Sequence, residues 1–181
     1  MYNTEQMHLV EINNGFIAPR HNVASSSMSA TVIEGKSILS NHVILDDNLK
    51  YYEKFRYFSY HYLKRECIKV QLAQPYMLSS MRMLLLSFRG LAYGYTVEVS
   101  VNNEEWDMVA DKSNESARSW QLLKFEPMLV VYIRITGIHS SNKNDKYFRC
   151  VHLEAPAPIR FLKPKQRWSI SRLFDNFLPF V

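Results

Sequence analysis

Glycine is scarce in this chain. Only five occur in 181 residues, and none forms the Gly-rich spacing that wraps backbone amides around a phosphate. Cysteine is scarcer still: Cys67 and Cys150 are too few for a disulfide framework and read as reduced thiols of an intracellular protein. No stretch approaches the ~18 consecutive apolar residues of a membrane-spanning helix. The first residues, Met1 to His8, lack a basic segment followed by an apolar core, so no secretory signal is expected and the predicted compartment is the cytoplasm. The histidines make no His-Glu-x-x-His pair, and neither a cofactor nor a metal is expected.

Net positive charge is also in short supply outside one segment. The formal charge is +5, but Arg160, Lys163, Lys165, Arg167 and Arg172 against Asp175 place +4 after residue 159 and leave +1 for the rest. The basic character belongs to the tail, so the domain itself is not expected to bind nucleic acid.

What the chain does have is β patterning. Tyr95, Val97, Val99 and Val101 alternate with Thr96, Glu98 and Ser100, which gives a strand one apolar and one polar face. Asn102 and Asn103 tolerate the left-handed backbone of a tight reversal, and Trp106 opens the returning strand. Ile68–Leu72 alternates and is predicted to stop at Gln74-Pro75, while Met81–Phe88 is apolar enough for a strand buried on both faces. Ser119–Phe125 is predicted to stop at Glu126-Pro127. Val130–Thr136 and Phe148–Glu154 follow, separated by the polar loop Ser140–Asp145, and Ala155-Pro156-Ala157-Pro158 ends the series. A short strand is expected at Ala30–Glu34, and helix is scarce before residue 165. Closely spaced strands with turn chemistry between them indicate an antiparallel sandwich or barrel.

Several of these segments resemble a known family. Val70-Gln71-Leu72-Ala73-Gln74-Pro75-Tyr76-Met77, Tyr95-Thr96-Val97-Glu98-Val99-Ser100, Trp106-Asp107-Met108-Val109-Ala110-Asp111, Ser119-Trp120-Gln121 and Tyr132-Ile133-Arg134-Ile135-Thr136-Gly137-Ile138-His139 look like a discoidin (coagulation factor V/VIII type C) domain. Asn22-Val23-Ala24, Val32-Ile33-Glu34-Gly35 and Phe148-Arg149-Cys150-Val151-His152-Leu153-Glu154 fit the same domain. The resemblance implies an all-β, galactose-binding-like jelly-roll sandwich over residues 17–156, with end loops that can hold a ligand. Residues 1–16 would be a lead-in and 157–181 a basic, aromatic tail with a short amphipathic helix. More narrowly, the likeness is to discoidin domains placed behind BTB and BACK regions, a plan similar to substrate adaptors of cullin-3 ubiquitin ligases. The BTB and BACK parts are not in this sequence. Two loops depart from the family pattern. Ser87-Phe88-Arg89-Gly90-Leu91-Ala92-Tyr93 stands where the family carries an acidic loop, and Asp46-Asp47-Asn48-Leu49-Lys50-Tyr51-Tyr52 where it carries a Gly-Asp-Thr turn.

Candidate sites follow from chemistry and from those departures. Tyr51, Tyr52, Arg56, Tyr57 and Tyr60 lie in an aromatic–basic stretch suited to protein recognition, or to stacking on sugars, unless the aromatics pack beneath the sandwich. Arg89 and Asn142 occupy loops expected at one end of the sandwich. In the tail, Arg167, Trp168, Phe174 and Phe177 would dock a helix capped by Ser169 on a partner groove, on an anionic membrane surface or back on the sandwich. Cys150 and His152, two apart on a strand, should share a face, but they supply only two ligands. Asp46, Asp47 and Asn48 read as a turn rather than a calcium loop. The expected function is non-enzymatic protein interaction, with a glycan- or phospholipid-binding module of lectin type as the alternative.

Overall fold

The structure, a computed structural model, describes residues 10–13, 16–37, 43–46 and 57–158, and the architecture below is that of those residues. Eleven strands follow one another: β1 Val10–Asn13, β2 Phe16–Asn22, β3 Thr31–Glu34, β4 Lys36–Ser37, β5 Ser59–Tyr62, β6 Ile68–Leu85, β7 Tyr93–Ser100, β8 Asp107–Ala117, β9 Trp120–Ser140, β10 Tyr147–Glu154 and β11 Pro156–Pro158. All pairings are antiparallel. β1, β2 and β11 form a small sheet, and the other eight strands form one continuous ladder.

That ladder folds over on itself because β6 and β9 are long and bulged. Their first shared part, Ile68–Gln71 against Tyr132–Ile135, is flanked by β3 on one side and by β7 and β8 on the other. Their second part, Arg82–Leu84 against Trp120–Leu122, is flanked by β10, then β5 and β4. Between the two parts the register shifts twice, at Gln71/Tyr76 and at Leu78/Ser80. Bulges bend a strand and raise its twist, so the two parts become facing layers. The layers meet at Phe148 of β10, whose ring lies 5.2 Å from that of Tyr93 and 6.1 Å from that of Tyr95 on β7. The result is the β-sandwich that the alternation predicts.

The expected stops at Pro75 and Pro127 do not occur; β6 and β9 run through them. Pro75 lies in the unpaired stretch between Gln71 and Tyr76, and Pro127 between Lys124 and Met128. A missing N–H costs no ladder hydrogen bond at such positions. Ala155–Pro158 also differs from expectation. Pro156–Pro158 forms an edge strand against β2, the place in a sheet where proline is tolerated.

Core and surface follow the patterning through Val99 and depart from it at Ser100, which is buried with its hydroxyl in the turn. Tyr95, Val97 and Val99 are buried while Thr96 and Glu98 are half-buried, but Val101 has left the strand and is 49% exposed in the turn. In that turn Ser100 Oγ accepts from the amides of Asn102 and Asn103, Asn102 Oδ1 accepts from those of Glu104 and Glu105, and Asn103 is left-handed at φ 64°. Met81, Met83 and Leu85 face the main core, while Leu84 and Leu86 pack with Val151, Phe58 and Trp120 on the opposite side. The strand buried on both faces is therefore present, but it ends at Leu85. Phe88 sits in a short 3-10 turn and is 42% exposed.

Candidate binding surface

Three connections converge at one end of the sandwich: the turn after β5, the turn between β6 and β7, and the loop between β9 and β10. Backbone hydrogen bonds tie them together. Leu63 N–H donates to Lys146 O (3.0 Å), Lys64 N–H to Gly137 O (2.9 Å) and Ser141 N–H to Ala92 O (2.8 Å). Ser141 Oγ in turn accepts from Ala92 N–H at 3.0 Å. Rigid strands thus hold three loops in register, the usual way a fold presents a binding surface.

Two hollows flank the β9–β10 loop, and Asn142 and Asp145 line both. One, of about 520 Å³, has Tyr62, Lys64, Arg65, His139, Lys143 and Lys146 in its wall. The other, of about 630 Å³, has Phe88, Arg89, Leu91, Asn144 and Arg149. Arg149 anchors the second. Its guanidinium pairs with both carboxylate oxygens of Asp145 and donates to Tyr93 Oη at 3.4 Å, between the rings of Phe58 and Tyr147. Burial alone would lower the Arg149 pKa, but its bonds to Asp145 and Tyr93 outweigh that and raise it. The pair is a preformed, charge-balanced wall. Arg89 lines the same hollow in a left-handed conformation (φ 54°), with its guanidinium 5.2 Å from the centre of the Phe88 ring. A bulky residue held there is a strained feature of the kind that concentrates at functional sites.

An aromatic strip continues from this end along the outer face of β5 and β10. The Tyr60 ring meets Phe58 at 6.0 Å and Tyr147 at 5.5 Å, both edge-on, and Tyr147 Oη donates to Tyr62 Oη at 3.1 Å. Lys36 lies 4.8 Å over the Tyr62 ring. The inward positions of β5 are Ser59 and His61, both buried. Within β5 the aromatics therefore face outward, the reverse of packing beneath the sandwich. His61 is a core residue rather than a loop residue. Its Nε2 accepts from Gly137 N–H (3.0 Å), so its Nδ1 carries the proton and donates to Tyr62 O (2.9 Å), and burial lowers its pKa.

Of the residues singled out by sequence, Arg89 and Asn142 line one hollow together, Tyr60 lies on the adjoining strip and Tyr57, three residues before it, is half-buried. Tyr51, Tyr52 and Arg56, and the tail residues Arg167, Trp168, Phe174 and Phe177, lie outside the described residues, as do Asp47, Asn48 and the predicted helix. Cys150 and His152 do not share a face. A bulge between them shifts the register against β6, so Cys150 enters the main core while His152 meets the Trp120 ring edge-on at 6.1 Å. Burial pushes the Cys150 thiol up to about 12, and burial together with the Glu34 carboxylate does the same at Cys67. Neither is a thiolate near neutral pH. Among the described residues, no group of three His, Cys, Asp or Glu side chains is arranged to hold a metal, and no helix is long and apolar enough to cross a membrane.

Sequence reasoning missed Arg149, Asp145, Tyr147 and the lysines of the first hollow. The run Lys143-Asn144-Asp145-Lys146-Tyr147 carried a signal, a dense set of charged and aromatic residues in a loop.

Comparison with known proteins bears on the same region. The profile of the F5/8 type C domain matches residues 24–152. BTB/POZ domain-containing protein 9 of Drosophila melanogaster is 43% identical over 155 residues, covering 84% of this chain and 21% of the relative. The Homo sapiens protein of that name is 42% identical over 145 residues, covering 80% and 23%. The chain thus spans about a fifth of the length of these relatives. Among solved structures, the family 32 carbohydrate-binding module of Clostridium perfringens NanJ in complex with galactose superposes with a TM-score of 0.57 at 16% identity, over 76% of this chain and 98% of that one. The CBM32 of AlyQ in complex with 4,5-unsaturated mannuronic acid gives 0.55 at 12% identity, over 75% and 96%. At such identities these two share the fold.

Proposed function

This chain belongs to the F5/8 type C (discoidin) family, a family of binding modules, and from that premise we propose that it is a protein-interaction domain whose partner sits on the loop end of the sandwich. The observation that carries the proposal is the meeting of Arg89, Asn142 and the Asp145–Arg149 pair around one hollow, with Tyr60, Tyr62 and Tyr147 beside it. Tyrosine and arginine are the residues that supply large contact area and hydrogen bonding at protein interfaces. The relatives carry a BTB/POZ domain by name. We extend the proposal to a cytoplasmic, substrate-recruiting role in an adaptor of the cullin-3 ligase type.

A second reading has its own support. Phe88 is 42% exposed beside Arg89 in a hollow that Asn142 also lines, so an aromatic ring, a guanidinium and an amide border a space large enough for a sugar. Affinity capture from cell lysate separates the two. The wild-type chain should retain a set of proteins that a Tyr60→Ala, Arg89→Ala, Asn142→Ala variant loses. Identical captured sets count against the site, and release of the set by millimolar galactose favours the glycan reading.

A further inference from the structure

Among the described residues, cations with no ion pair include Arg118 and Lys124 outside the hollows, but four others gather at one place. Lys36, Lys69, Arg82, Lys112, Arg134 and Arg149 each hold a carboxylate. Lys64, Arg65, Lys143 and Lys146, all exposed in the wall of the 520 Å³ hollow, hold none among the described residues. Nearby acids are engaged elsewhere. Asp145 is bound to Arg149, and the Glu66 carboxylate accepts from Tyr62 N–H and pairs with Lys36. Four uncompensated positive charges therefore converge on a concave surface, and Arg89 adds a fifth at the adjoining hollow. Converging like charges repel one another, an arrangement that an anionic occupant relieves.

Resting on the interaction-module reading above, we infer that the occupant of the hollow between the β5 turn and the β9–β10 loop is a carboxylate-rich peptide segment of the partner. Shape selects a peptide over a bilayer. The lysines line a concavity that a segment of a few residues can enter, whereas a planar headgroup surface would touch only its rim. The apolar residues lining this hollow, Leu63 and Ile138, are half-buried; Phe88, 42% exposed, lines the adjoining hollow, and the exposed Met77, Leu122 and Leu129 lie along β6 and β9. Membrane-docking modules place apolar side chains beside their cations, at the surface that meets the lipid. Tyr62, 36% exposed at the wall, adds an aromatic contact for a peptide.

The test uses the full chain and a fluorescein-labelled glutamate-rich octapeptide, read by fluorescence polarisation. Binding should weaken about tenfold or more in a Lys143→Glu, Lys146→Glu variant, and likewise in Lys64→Glu, Lys143→Glu, each with the melting temperature retained. An Arg118→Glu, Lys124→Glu variant has the same net charge, with both changes at exposed residues outside the hollow, and should stay within about threefold of wild type. Equal loss in that control, or tighter binding of phosphatidylserine vesicles than of the peptide, overturns the inference. So does failure of the peptide to bind while protein capture still depends on Arg89 and Asn142, and that outcome leaves the interaction-module reading standing.

Discussion

Two arginines show how single residues hold the outer faces. Arg82 lies 4.1 Å over the Trp120 ring while its Nε and Nη2 donate to the two oxygens of Glu154 at 2.9 and 3.0 Å. Arg134 repeats the arrangement on the other layer, 4.0 Å over Trp106 and bonded to Glu98 at 2.8 and 2.7 Å. A guanidinium fits both partners because it is planar and carries forked donors. At Glu154, burial alone would raise the carboxyl, yet the bonds from His152 and Arg82 outweigh it and bring the pKa down to about 2. A carboxyl lowered on folding stabilises the ionised form, so its contribution is whole above the unfolded value of 4.5 and is lost as the pH falls through about 2. Glu154→Gln should therefore cost about 2–3 kcal/mol in urea denaturation at pH 6, and the gap to wild type should shrink markedly at pH 3. A gap independent of pH contradicts this assignment.

At the scale of elements, what could be read from the sequence and what could not have the same cause. Alternation is a local signal, and it placed β7 as far as Val99, the Asn102-Asn103 turn and the two-faced end of β6 as far as Leu85. Bulges are not local, because they depend on which strand lies opposite. Pro75 and Pro127 looked like terminators but sit where the partner strand leaves them unpaired, and the Cys150/His152 bulge reverses a face that strict alternation would keep. Close contact between layers is likewise invisible until the layers exist. A side chain at Gly137 of β9 would bring its Cβ to 2.3 Å from Cβ of Phe148, whose ring joins the two layers. Gly137→Ala should cost about 2–3 kcal/mol, a fall in melting temperature of about 5–10 °C by calorimetry. An unchanged melting temperature would show that Phe148 does not fix the layer spacing.

Over the whole molecule, the candidate site is assembled by topology from segments far apart in the chain: Tyr62–Arg65, Phe88–Leu91 and Ile138–Arg149. Arg89 and Asn142 could be picked out beforehand because the loops that carry them were expected at one end of the sandwich. The lysine wall and the Asp145–Arg149 pair could not, since their meaning rests on which charges remain unpaired after folding. The fold is held by the core and the two arginine stacks, and the proposed function by the loop end, so the two should be separable by experiment. Hydrogen–deuterium exchange of the full chain with and without its captured partner tests that division most directly. Exchange should slow only in residues 62–66, 88–92 and 140–149, with β8 and β3 unchanged; protection centred on β8 or β3, with those three segments unaffected, would contradict a partner seated on the loop end.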